Sequence, residues 1–127
     1  MKKTKTLFKA IDVHPYSVRL WLLITNNPSL ECTRLNLKYK NLGAEWDEGA
    51  AAVTHLDFYN NSCLLVVIDG NVPLCLNTIC HEVVHIKNRV NDHAGIEHDP
   101  DNDEPEAYLS GWIAEQIEKA WKEYKKM

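Results

Sequence analysis

Along the chain, apolar residues gather into runs whose spacing changes from one stretch to the next. Val18-Arg-Leu-Trp-Leu-Leu-Ile-Thr25 is rich in strand formers and apolar on both faces, which predicts a strand buried from both sides. Ala51 to Tyr59 alternates instead. Ala52, Thr54, Leu56 and Phe58 fall on one face, and Val53, His55, Asp57 and Tyr59 on the other. Asn60-Asn-Ser62 offers a turn and Cys63-Leu-Leu-Val-Val-Ile68 a returning strand, so 51–68 reads as a β-hairpin. Beyond Pro73 the period lengthens to three and four. Leu76, Ile79/Cys80, Val83, Ile86/Lys87 and Val90 mark the buried side of a helix that Pro73 or Asn77 would start. The same period returns in Leu109, Trp112/Ile113, Gln116/Ile117, Ala120/Trp121 and Tyr124. This last helix has Pro105 near its first turn, where proline is tolerated, with acids at its start and lysines at its end to suit the helix dipole.

The stretches between carry weaker patterns. Asn26 to Ser29 is a turn cluster, and Ser29 is placed to cap a helix running toward Gly43 through Leu30, Leu35, Leu37 and Leu42. Glu45 to Gly49 reads as a loop, as does Asn91 to Asp103, dense in Asn, Asp, Gly and Pro. Residues 1–10 are basic and expected to be loosely ordered. The order strand, helix, hairpin, helix, loop, helix predicts an α+β fold: a small antiparallel or mixed sheet covered by helices.

Composition narrows the picture. The 127 residues form one domain, 1–127, large enough for a core without staples. The net charge of −4 and the absence of a broad basic stripe leave nucleic-acid binding without an electrostatic footprint. The longest apolar run, Leu64 to Ile68, is too short to span a bilayer. Met1 to Thr6 is basic, but the following residues make no apolar signal-peptide segment. Cys32, Cys63, Cys75 and Cys80 form no CxxC pair and are expected to be small buried thiols in a reducing, cytoplasmic setting.

One helix carries chemistry. His81-Glu-Val-Val-His85 is an HExxH motif, and residues four apart lie roughly 40° from each other around an α-helix, one turn apart. Two imidazoles so placed can share one zinc ion. Glu82, about 100° round, stands where a general base would take a proton from zinc-activated water. A catalytic zinc takes three protein ligands and keeps one position open. The metzincin completion HExxHxxGxxH fails, because Asn88 and Asn91 stand where it needs Gly and His.

The stretch resembles the minimal gluzincins instead, in which a following helix carries a ligating Glu ahead of Ala or Ser three residues on. Glu104-Pro-Glu-Ala107-Tyr108 fits that setting, nineteen residues past His85. The resemblance covers the last 50 residues or so and extends to small phage zinc peptidases and, more distantly, to ImmA/IrrE-like peptidases. Tyr108 stands where the latter have Asn or Asp. The resemblance implies a zincin-like fold, Zn2+ held by His81, His85 and Glu104, and hydrolysis of a peptide or protein substrate with Glu82 as base. Such a substrate would add as an extended strand to the sheet edge. Tyr108, one turn beyond Glu104, would reach a zinc ligand or a developing oxyanion. Rival donors are Glu106, His93 and His98. His55 is expected to be a packed or edge histidine. The alternation Asp99, Asp101, Asp103 lacks the glycine and glutamate of a calcium loop and reads as a solvated turn. Two other functions remain open at this point, a structural or inactive zinc protein and a non-peptidase zinc amidase.

Overall fold

The strand Val18–Thr25 and the strand Cys63–Asp69 lie side by side and parallel, Arg19 opposite Cys63 through Thr25 opposite Asp69. Their apolar runs have no polar face because both faces are covered, the usual reason for continuous hydrophobic sequence in paired parallel strands. In the computed structural model, which describes residues 3–39, 43–55 and 62–127, these two strands form the middle of a four-stranded mixed sheet. In chain order the elements are β1 (Thr6–Val13), β2 (Val18–Thr25), α1 (Pro28–Lys38), β3 (Ala52–His55), β4 (Cys63–Asp69), α2 (Leu76–Ala94) and α3 (Glu104–Lys125). The strand order is β1-β2-β4-β3, with antiparallel pairs at both ends.

Alternation along the central strands sorts their side chains between two cores. Leu20, Leu22 and Ile24 with Leu64, Val66 and Ile68 pack against Ile79, Val83, Ile86 and Val90 of α2 and Leu109, Ile113, Ile117, Ala120 and Tyr124 of α3. Leu23, Leu65 and Val67 face the other way and meet Cys32 and Leu35 of α1 and Ala44. Each fully buried aliphatic side chain contributes about 1.5–3 kcal/mol relative to exposure. The larger, two-helix core therefore fixes how α2 is rotated on the sheet.

The expected α+β class is present, and β2, the 52–55/65–68 hairpin pairing and the two C-terminal helices lie where the pattern placed them. The rest of the expected hairpin, residues 56–61, lies outside the described residues. Four expectations are corrected. Thr6 to Ala10, expected to be loosely ordered, belong to β1, which pairs with β2 from Thr6 opposite Thr25 to Val13 opposite Val18. The cap of α1 is Asn27, whose Oδ1 accepts from the Leu30 amide at 3.3 Å; Pro28 and Ser29 already lie inside the helix. The helix runs to Lys38, and 40–42 lie outside the described residues. α2 continues past Asn91 to Ala94 and stops at Gly95, the first residue able to take the left-handed turn (φ 70°) that closes its end on the Asn91 and Asp92 carbonyls. Of the cysteines, all free thiols, Cys32 is buried and Cys63 half-buried, whereas Cys75 and Cys80 are exposed. Burial pushes the Cys32 thiol up to about 11, helped by the nearby Glu31 carboxylate. No helix among the described residues is long and apolar enough to cross a membrane.

The chain turns from β4 toward α2 at Gly70, directly beneath Tyr124, whose ring is buried at the end of α3. Gly70 also donates its amide to the Thr25 carbonyl at 2.7 Å, locking the ends of β2 and β4 together. A methyl group here would fall on the Tyr124 ring and hydroxyl. Gly70→Ala is expected to destabilise the fold by about 1–3 kcal/mol, the usual cost of overpacking, while Gly111→Ala, in open space on α3, is expected to stabilise or leave stability unchanged. Chemical denaturation of both variants checks this; equal stability of Gly70→Ala and the parent would remove Tyr124 as a packing constraint.

Candidate metal centre

The rotation of α2 decides which side chains of the HExxH motif face the sheet. Ile79, Glu82, Val83, Ile86 and Val90 are buried, which turns His81 and His85 to the exposed face. Their Nε2 atoms lie 3.3 Å apart, with the rings edge to face at 72°. Two nitrogens bound to one zinc at 2.0–2.1 Å with a tetrahedral angle are themselves about 3.3 Å apart. The imidazole pair thus spans one edge of such a tetrahedron.

Glu82 is only 5% exposed. Its carboxylate accepts a hydrogen bond from the Thr54 hydroxyl of β3. Thr54 stands opposite Val66, on the α2 side of the sheet, and Val53 and His55 point to the α1 side. His55 is therefore turned away from the motif and donates its ring N–H to the Glu45 carbonyl at 2.7 Å. Between β3 and the first turns of α2 runs a cleft of about 210 Å³, lined by Ala50, Ala51, Ala52, Asn77, Thr78, His81 and Glu82. Among the described residues no strand pairs with the outer side of β3. Since the Asp69 amide bonds to the Ala51 carbonyl, Ala51, Val53 and His55 face β4 with their backbone groups, and Ala52 and Thr54 direct theirs to the open edge.

The other half of the expected site is arranged differently. Glu104 opens α3 and is exposed. It precedes Ile113 by nine residues, which puts it about 180° round the helix from that buried side chain. Among the described residues no three His, Cys, Asp or Glu side chains converge as a metal site would require, so the structure does not gather Glu104 with His81 and His85. Glu106 is the carboxylate that turns toward α2, and it is already engaged. One oxygen pairs with the Lys87 ammonium, and the other lies 2.7 Å from His98 Nδ1. Those two partners hold the Glu106 carboxyl below the usual carboxylate range, Lys87 first. Tyr108 is 75% exposed and makes no hydrogen bond to His81, Glu82 or His85. His93 is exposed on the last turn of α2. In the following loop Asp99 accepts from the Asp101 amide at 3.0 Å, a solvated turn leading into α3.

Thr54 is the residue that the pattern of the sequence did not single out. Its place on one face with Ala52 was legible, but not that this face meets Glu82. Comparison with known proteins returns no match among family models, curated proteins or solved structures.

The Glu106 cluster fastens the loop 95–103 and α3 to α2 through His98 and Lys87. Because folding lowers this carboxyl's affinity for protons, the folded chain sheds a proton that the unfolded chain still holds. The stabilisation is complete above the usual carboxylate range and disappears as pH falls through the lowered value. In acid titrations of stability, Glu106→Gln is expected to be less stable than the parent at neutral pH and to converge with it in acid. A constant difference at every pH would show that the pair contributes nothing through ionisation.

Proposed function

We propose that the chain is a zinc-dependent hydrolase that cleaves peptide bonds, a metallopeptidase of zincin-like fold in which His81 and His85 hold the metal. The observation that carries this reading is the 3.3 Å separation of the two Nε2 atoms, the spacing that tetrahedral zinc demands. Zinc, when bound, supplies a Lewis acid that makes water a nucleophile near neutral pH and polarises a carbonyl. The chain's own residues do the rest. Glu82, beside the pair and shielded from bulk water, takes up a proton on its carboxylate and returns it to the leaving amine. Thr54 holds one carboxylate oxygen, which leaves the other to exchange that proton. An extended peptide donates to and accepts from the outward backbone groups of Ala52 and Thr54, which lays it across the cleft that ends on His81 and Glu82. A small amide would have no use for that edge, which favours the peptidase reading over an amidase.

The support is chemical: two nitrogen donors at metal spacing, an intact carboxylate base next to them, and an unpaired strand edge alongside. Protons compete with zinc for the same nitrogens, so metal affinity is expected to fall as pH is lowered. Metal analysis of the dialysed protein should find zinc in the parent and little in His81→Ala or His85→Ala. A peptide-library digest with the zinc-loaded protein should give cleavage that Glu82→Gln slows by on the order of 10²–10⁴. Identical product profiles from the parent and Glu82→Gln, with zinc bound to both, would sink the enzyme and leave a structural zinc protein.

A further inference from the structure

Glu82 is the one buried carboxylate among the described residues, and it shares its face of α2 with Ile79, Val83, Ile86 and Val90. A carboxylate in such surroundings costs stability unless a partner satisfies it. No cation among the described residues pairs with it, and the hydrogen bond it receives comes from the Thr54 hydroxyl of β3. An apolar pair at positions 82 and 54 would close the same contact without either polar group. Core packing therefore does not account for the pair.

Thr54 has a second attachment. The backbone groups of Val53 and His55 are turned to β4, so the N–H and C=O of Thr54 are turned to the open edge, as are those of Ala52. One residue thus reaches the carboxylate with its side chain and forms the strand edge with its main chain. Beside it lies the cleft whose other wall is Asn77, Thr78 and His81 of α2. Thr54 stands opposite the buried Val66, so it is carried by the sheet and not by a loop. Its β-branched side chain has few rotamers, which holds the hydroxyl in one direction.

We propose that Thr54 is a positioning residue that sets base and substrate against each other: its hydroxyl orients Glu82, and its main chain fixes the register of the extended peptide. This rests on the hydrolase reading given above. Both contacts start from one Cα, so the separation of the base from a peptide carbonyl is fixed within a single residue of the sheet. Loss of the hydroxyl slows the proton transfer, and loss of the main-chain pairing weakens binding. The two roles are separable by experiment.

A fluorogenic peptide taken from the library digest serves as substrate for the zinc-loaded chains. Thr54→Val keeps the shape and removes the hydroxyl; it should lower kcat by about 10–100-fold, the scale of a misplaced catalytic group, with KM unchanged. Thr54→Ser, which keeps the hydroxyl, should restore most of the rate. In a Glu82→Gln background Thr54→Val should cost no further rate, as befits residues that act as a unit. Fluorescence anisotropy with the same peptide, labelled, should give one affinity for Glu82→Gln and for Glu82→Gln/Thr54→Val. N-methylation along that peptide should weaken binding at alternate amides, those that face the edge. An unchanged kcat in Thr54→Val, a rate loss that persists in the Glu82→Gln background, a rate lost equally in Thr54→Val and Thr54→Ser, or an N-methyl scan without alternation overturns the positioning role and leaves the hydrolase reading standing. Absence of peptide cleavage by the parent, or cleavage that Glu82→Gln leaves untouched, overturns both.

Discussion

Pairing of β2 with β4 is the contact on which the rest of the molecule depends. Among the described residues it is the one parallel seam in the sheet, and helices cover both of its faces. The cover is α1 on one side and the α2/α3 layer on the other. Once the apolar stripe of α2 is pressed into that layer, the orientation of every other residue on the helix follows from its 100° step. Glu82 is carried inward to Thr54, and the two histidines are carried outward. The geometry of the candidate centre is in this sense a by-product of core packing.

That ordering explains what could be read from the chain and what could not. β2, the motif helix and the C-terminal helix were legible because their apolar positions repeat strongly enough to define a period and a face. β1 was not, because one of its faces carries Ala10 and Asp12 and the other Lys9, which pairs with Glu123 of α3, so no clean apolar period shows although the strand pairs along its whole length with β2. Its partner strand supplies the regularity that its own composition lacks. The end of α2 was misplaced by four residues because Asn91 and Asp92 are weak helix formers but do not forbid it, and the helix closes where Gly95 allows a left-handed turn.

For the site, local spacing was enough and long-range spacing was not. Four residues inside one helix put two imidazoles one turn apart on one face, whatever the helix packs against. Nineteen residues between His85 and Glu104 fix nothing comparable, since they cross a loop and enter a second helix whose rotation is set by Leu109, Ile113 and Ile117. Two positions along α3 separate a carboxylate that faces solvent from one that faces α2, a turn of roughly 200°. A resemblance built on the order of residues is blind to that difference. The Lys87–Glu106–His98 cluster was likewise hidden, because its members come from α2, the loop and α3.

The parallel seam also sets a timetable for the chain. Residues paired across β2 and β4 lie more than forty positions apart, whereas β1 meets β2, and β3 meets β4, through nearby sequence. Closing the long loop is entropically the more demanding step and brings its reward only after both partners exist. The two antiparallel pairs are therefore expected to assemble as separate nuclei and the seam to join them last, an order that pulse-labelled amide exchange during refolding would resolve. Until that seam closes, α2 has no complete surface to lie on. The histidines of a nascent chain already share a helical face, but the threonine that steadies their neighbouring carboxylate reaches it only at the final stage of folding.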